Sequence, residues 1–403
     1  MNQFNFLLAV ATLALAPAMA AQAESKPVDM TPYADVRYRL EVVDQSGLPN
    51  DATASTLRVR AGVKTAEWHG LSALVEGEAI VVLGATTYND TVNGKVAYPI
   101  VADRGGDVLL NQAWVRWRPV KQIELTGGRQ AINLDNQRWV GSVGWRQNDQ
   151  TLDAARLAAK PVKDLSLDYF YAWRVNRVFG PDSPQGIWRG TDIHSVRAAY
   201  AIKDVGTLSA YGLWLDVPSA AASSSRTLGV RMAGERKVGK QTRVLYAVEY
   251  ARQHDFGANP ASYDLSYFLA EPGIAHGPFT LNGGFERLEG NGSAALQTPL
   301  ATLHAFNGWA DKFLTTPPRG LRDIYVDAGW KAGKGPLKGL ALRAAWHDYN
   351  SVLGGLDYGR EWNGQVSYPI GTHFTVLAKA ARYDADAFAT DTTKFWFSIE
   401  AKY

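Results

Sequence analysis

The chain of 403 residues contains no cysteine. Disulfides therefore contribute nothing to its stability, and an exported protein of this length needs another source; a closed barrel is one. Formal net charge is only +3, so charge alone argues for neither a nucleic-acid partner nor any other polyanion. Long apolar runs are scarce. The one present, residues 6–16, is followed by the small-x-small patterns Ala18-Met19-Ala20 and Ala21-Gln22-Ala23. This predicts a secretory signal peptide over 1–23 rather than an anchor, because the run is too short to span a bilayer. Its first five residues carry no Lys or Arg, and no charged residue precedes Glu24. The chain also lacks a Gly-x-Ser-x-Gly elbow, a Gly-rich phosphate loop and any metal-spaced His cluster. The seven histidines are scattered. His254-Asp255 and His347-Asp348 are adjacent pairs, but neighbours in a strand point to opposite faces, so neither is a dyad. No enzyme, cofactor or metal site is expected.

What the chain does have is aromatic residues, 13 Trp and 18 Tyr among them. Such side chains suit the two interfaces of a membrane barrel, where an apolar ring and a polar tip meet the headgroups. The last segment is the plainest example. Phe395, Phe397, Ile399, Ala401 and Tyr403 fall on one face, and Trp396, Ser398, Glu400 and Lys402 on the other. An apolar-faced strand ending on a terminal aromatic resembles the closing strand of bacterial outer-membrane β-barrels. There it serves as the signal for the barrel-assembly machinery; Tyr403 stands where that family usually has Phe.

From Thr31 onward the chain is a series of short alternating segments with almost no 3.6-residue periodicity. Connections alternate long and short. Strands over 33–43 and 56–67 flank a polar loop; 68–70 is a tight turn; 71–83 is followed by the long loop 84–107. Then come 108–118, a turn at 119–121, 122–130, and a long loop over 131–149. The pattern continues through 165–176, 263–271 with a turn at 272–278, and 321–331, to the terminal strand. The stretch 138–145 is read as loop, since a strand there would break the parity. The sum is 18 strands. An even count puts both ends on one side, with short turns periplasmic and long loops extracellular. The expected fold is all-β: a transmembrane antiparallel barrel over 24–403 in the bacterial outer membrane.

Alternation also assigns the faces. Leu57, Val59, Ala61 and Val63 look to lipid, with Arg58, Arg60 and Lys64 inward. Leu165, Leu167, Tyr169, Tyr171 and Trp173 look out, with Asp168 and Arg174 inward. A charged Arg or Lys on the lipid face near the midplane costs about 2–4 kcal/mol, so strand charges mark the lumen. A barrel this wide is not filled by its own side chains. The inward residues include Arg116, Arg118, Arg156, Arg197, Arg243 and Arg343, with Glu76 and Glu78 facing the arginines of the second strand. Two roles are open for each: a rung in a ladder of ion pairs, or part of a surface that selects anions.

Three stretches carry a closer resemblance. They are 57–64 with 74–78; Gly128-Arg129-Gln130 with Arg138, Gly141, 145–147 and 152–157; and 298–304 with 308–311, Phe313 and 320–323. Together they are similar to the alginate-export family of 18-stranded outer-membrane barrels. The resemblance implies a conduit for an anionic polysaccharide with an arginine-rich constriction. It carries that role onto Arg58, Arg60, Arg129, Arg156, Arg138, Asp153 and Asp311. Any periplasmic export partner would then be a separate protein.

Loop 290–320 is too apolar for a solvated loop. With Trp309, Asp311 and Phe313 it either enters the lumen as a plug or constriction, packs over the mouth, or forms a short amphipathic helix on the rim. The expected function is an outer-membrane channel for an alginate-like polysaccharide or another anionic solute. A general small-solute porin and a plugged structural barrel are the rivals. Outer-membrane lipid is the expected surrounding, and no flat wall argues for a trimer, so a monomer is expected.

Overall fold

The computed structural model describes residues 29–106 and 108–403; the expected signal peptide lies outside them. The strands are β1 (Met30–Gln45), β2 (Ala52–Thr65), β3 (Leu71–Thr87), β4 (Val108–Val120), β5 (Ile123–Gln130), β6 (Thr151–Ala159), β7 (Leu165–Asn176), β8 (Ile187–Ile202) and β9 (Gly206–Asp216). They continue as β10 (Ser225–Lys237), β11 (Thr242–Asp255), β12 (Asp264–His276), β13 (Phe279–Leu288), β14 (Leu321–Lys331), β15 (Ala341–Asn350), β16 (Asp357–Ile370), β17 (Phe374–Ala385) and β18 (Thr392–Lys402). Each pairs antiparallel with its neighbour in sequence, and β1 also pairs with β18, from Asp35 opposite Lys402 to Gln45 opposite Thr392. The sheet is thereby a closed 18-stranded barrel with no free edge, as the alternation and loop parity predicted. Among the described residues no helix is long and apolar enough to cross a membrane; the strands do the crossing.

The distribution of polarity is inside out. Arg58, Glu41 and Glu361 on the inner face are 0–1% exposed, while Val75, Val115 and Trp362 on the outer face are 57–60% exposed. Hydrocarbon solvates the outer face and protein or water the inner one. Near the periplasmic end the outer face carries Trp117, Tyr200, Phe279 and Phe374, the girdle expected of a barrel at an interface.

Two of the turns named above differ from the sequence expectation, and β16 likewise runs through Pro369 to Ile370. β4 runs on through Pro119 to Val120, because Val120 pairs with Ile123 across a two-residue turn. β12 continues through Pro272 to His276. Pro272 is tolerated because the ladder to β13 is interrupted between Ala270 and Gly273, so its missing N–H leaves no rung unmade. The stretch 138–145 is loop, as parity required.

Bulges change the facing of some residues. The pairing of β6 with β7 shifts between Asp153 and Ala154, and that of β7 with β8 between Ala172 and Arg174. Below the shift Phe170 and Ala172 point in; above it Val175 does. A bulge re-aims every side chain beyond it.

Candidate functional site

Two extracellular loops enter the barrel. Loop 131–150 follows the short strand β5, and loop 289–320 follows β13. They bond to each other: the Gly141 N–H donates to the Leu300 carbonyl at 2.9 Å and the Thr302 N–H to that of Gln137 at 3.0 Å. The Gln150 side-chain amide also reaches the Leu300 carbonyl, at 3.0 Å. Both are held by inward side chains from around the wall. Trp139 Nε1 donates to Glu249 of β11 at 2.6 Å, Arg138 pairs with Glu286 of β13 at 3.0 Å, and Arg146 pairs with Glu41 of β1 at 3.2 Å. Contacts to strands so far apart place the loops in the lumen.

Loop 289–320 contains one 3-10 turn, Leu303–Ala305, and no amphipathic helix. Its Leu296, Leu300, Trp309 and Phe313 pack with Trp139, Val140, Tyr267, Tyr349, Tyr383 and Trp396 in one buried cluster. Exposing any one of these large side chains would cost about 1.5–3 kcal/mol, which is why so apolar a loop is inside. At its inner bend the Trp309 and Ala310 N–H groups both donate to the Glu361 carboxylate. Gly308 precedes them with φ +84°, and a Cβ there would stand 2.3 Å from Glu361 Oε2. Only glycine lets the backbone approach so closely.

Asp311 is the hub of this constriction. Its carboxylate accepts from His304 Nδ1 at 2.7 Å and pairs with Arg146 at 2.9 Å and Lys394 of β18 at 2.9 Å. Burial alone would raise its pKa; His304, Lys394 and Arg146 outweigh burial and hold it well below the usual carboxylate range. Burial pushes His304 well below its usual range, so the imidazole is neutral. Its other ring nitrogen meets Lys379 Nζ of β17 at 2.7 Å. Lys379 is boxed by Trp309 at 3.7 Å and Trp145 at 4.3 Å from the ring centroids, an arrangement in which ring quadrupoles stand in for an anion.

Above the hub, toward the extracellular mouth, lies a cavity of about 540 Å³. Arg146, Lys312, Lys394, His304 and Asp311 line its floor, and Tyr98, Phe179 and Leu48 its walls. Arg146 and Lys394 thus pair with the Asp311 carboxylate, Arg146 also pairs with Glu41, and Lys312 adds a charge with no carboxylate in contact. Lys312 Nζ has Gln45 Oε1 at 3.1 Å, and burial with the nearby Lys394 pushes its pKa down to about 8. The lysine is charged below that pH and neutral above it. Anion preference should therefore weaken as pH rises through 8, and Lys312→Gln should flatten that step. Reversal potentials of single channels from pH 7 to pH 9 check this; a step that persists in Lys312→Gln would assign it elsewhere.

The family model described as alginate export matches residues 34–262. The chain belongs to the alginate export family. Two of the three stretches that suggested it lie inside that match, and the loop around Trp309 lies beyond it. No curated protein sequence matches significantly. Among solved structures, Pseudomonas aeruginosa OpdL is 16% identical over 93% of this chain and 99% of its own, with a TM-score of 0.72. Acinetobacter baumannii OccAB4 is 13% identical over 93% of this chain and 98% of its own, with a TM-score of 0.76. P. aeruginosa OpdK, solved with vanillate, is 13% identical over 92% of this chain and 98% of its own, with a TM-score of 0.72. The protein is a bacterial outer-membrane channel in a lipid setting.

Within this alginate-export-family barrel the expected arginines separate into groups. Arg58 pairs with Asp35 at 2.6 Å and Glu400 at 3.2 Å; Arg60 pairs with Glu78 and, at 2.8 Å, with Asp149 of loop 131–150. Glu76 accepts from Tyr33 at 2.8 Å and Asn111 at 2.7 Å. Arg197 pairs with Asp135 of the same loop. Arg156 pairs with Asp168, Arg243 with Glu235 and Arg343 with Asp327, each across neighbouring strands. Arg343 also lies 5.3 Å from the Trp309 ring. Lys64, Arg116 and Arg118 line a cavity of about 450 Å³ at the periplasmic mouth, where Arg116 and Arg118 share Glu124. Arg129, Asp153 and Arg174 are not in the lumen. Arg129 shares the outward face of β5 with Leu125, and the β7 bulge turns Arg174 outward. Sequence reading passed over Arg37, Arg39, Arg146, Lys312 and Lys394; alternation along β1 and β18 could have found the strand members.

Proposed function

We propose that this channel passes small carboxylate-bearing solutes, selected at the floor of the extracellular cavity. The observation that carries the reading is Lys312, a cation with no carboxylate in contact, on the cavity floor beside Arg146 and Lys394. A free carboxylate arriving there meets a positive field inside low-dielectric walls. The cavity volume falls within the roughly 300–1,000 Å³ of small-molecule sites. The vanillate of the OpdK structure is a carboxylate of that size class. Inward arginines such as Arg156, Arg243 and Arg343 would continue the path below, each offering part of its charge beside a carboxylate partner. The two buried His–Asp pairs, His304–Asp311 and His347–Asp323, support a structural rather than a hydrolytic role: His304 presents its second nitrogen to Lys379, not to a hydroxyl.

Family membership favours a second reading, passage of a polyuronate chain. The interlocked loops would then have to leave the lumen. Planar-bilayer recordings separate the two. Block of anion-selective steps by vanillate and monomeric uronate, with polyuronate inert from the extracellular side, is the expected result. Polyuronate block at lower concentration than the monomer would favour the polymer. Steps without anion preference would leave a general porin. For assembly, the β18 face of Phe395, Phe397, Ile399 and Ala401 would supply the signal read by the barrel-assembly machinery.

A further inference from the structure

The outer face of the barrel carries more charge at one end than at the other. Near the extracellular rim, strand after strand ends with an arginine on the lipid-facing side. Near the periplasmic rim the same side carries Trp117, Tyr200 and Phe279, and Arg236 at the end of β10. A membrane with identical leaflets gives no reason for such an asymmetry.

Most rim arginines are balanced. Arg252 pairs with Asp264, Arg287 with Glu289, Arg360 with Asp348 and Arg382 with Asp384. The cluster at β5–β8 is not. Arg174 stands directly opposite Arg189 in the register of β7 with β8. Like charges facing each other across a ladder destabilise it. Arg129 on β5 faces Asp153 on β6, and that carboxylate serves both sides, at 2.6 Å from Arg129 and 3.8 Å from Arg174. Asn176 completes the group, accepting from Arg174 at 2.9 Å and donating to Asp153 at 3.1 Å. Two guanidiniums therefore share one carboxylate, and a third, Arg189, stands opposite Arg174. Beside them is a cleft of about 100 Å³ whose lining includes Arg129, Arg174, Asn176 and Asn111. It sits where β5 and β6 stop short, between their ends and the loop residues Asn148, Asp149 and Arg177.

We propose that this cluster binds a phosphate monoester carried by a lipid of the outer leaflet. A phosphate brings up to about two negative charges and three acceptor oxygens, enough to neutralise the excess and to take paired N–H donors from more than one arginine. A lipid rather than a soluble anion is the source because the cluster lies on the lipid-facing side, directly above Leu125, Leu157 and Trp173, where an acyl chain would run. The bulge that turns Arg174 out of the lumen is what builds the site.

The test is native mass spectrometry of the refolded full chain in detergent. The probes are a bisphosphorylated acylated disaccharide, its dephosphorylated form, and inorganic phosphate as competitor. The wild type should retain the phosphorylated glycolipid, and Arg174→Gln/Arg189→Gln should hold it at least about tenfold more weakly. Arg236→Gln at the opposite rim should bind like the wild type, and single-channel conductance should be the same in all three. Should the double variant not fold by heat-modifiable migration, Arg189→Gln alone, an exposed position, carries the comparison. Equal retention of the dephosphorylated form, or undiminished binding by the variants, overturns the proposal. Displacement by inorganic phosphate at equal concentration overturns the lipid as its source.

Discussion

Asp311→Ala should free the loops that cross the lumen and raise single-channel conductance severalfold. The substitution removes the one carboxylate shared by His304, Arg146 and Lys394. Those donors are nearly inaccessible to water, and the Asp311 side chain is 4% exposed. Removing one partner of a buried pair costs about 3–5 kcal/mol; here Lys394 is left without a carboxylate while Arg146 keeps Glu41. Two cations would repel here once the anion is gone. Arg146 belongs to loop 131–150 and Lys394 to the wall, so both loops lose an anchor at once. The barrel itself should survive, since its ladders do not involve Asp311. The expected observation is larger, noisier steps from protein that still shows heat-modifiable migration. Asp311→Asn keeps an acceptor for His304 and should lie between. Unchanged conductance in Asp311→Ala would mean that Glu361 and Glu286 hold the loops alone.

Lys312→Glu should reverse the preference of the extracellular cavity from anions to cations. Lys312 lines the cavity floor without a carboxylate in contact, so its charge faces the cavity uncompensated. Attraction between unit charges some 6 Å apart is about 0.7–3 kcal/mol at effective dielectric constants of about 80 to 20. Inverting the sign counts that twice, so block by a small carboxylate should weaken by at least about tenfold. Lys394 remains paired with Asp311 in this variant, so the loop should stay in place. Reversal potential under a salt gradient and vanillate titration measure the two effects. A variant that keeps anion preference would move the selecting group down to Lys379 or the arginines beneath it.

The strands were legible because a membrane forces each one to declare its faces. A lipid-facing Val or Phe alternating with an inward charge leaves a period of two that local sequence can carry, and β7 and β14 have the bounds that this pattern predicts. Proline misled at β12, where punctuation by residue type suggested a turn but the interrupted ladder absorbed Pro272. Facing failed where a bulge intervened, as at Arg174, since one extra residue leaves no mark in composition. The constriction was legible only in part. Trp309, Asp311 and Phe313 stood out because apolar residues in a long loop need a place to hide. Their partners did not, because Asp311 meets Lys394 across 83 residues and Arg138 meets Asn307 across 169. Loop-to-loop and loop-to-wall contacts have no period, and only the closed barrel brings them together.

The paired loops also matter mechanically. Loop 131–150 grips β1 through Arg146 and β11 through Trp139, while loop 289–320 grips β13 through Asn307 and β16 through Trp309 and Ala310. Joined at Gly141 and Leu300, they form a tie between distant parts of the circumference. A wide barrel without such a tie can be squeezed into an ellipse by lateral pressure with little change to its ladders. Here flattening along that line would buckle the crosspiece, and stretching would pull its bonds apart. The same segments that narrow the lumen therefore keep its cross-section round.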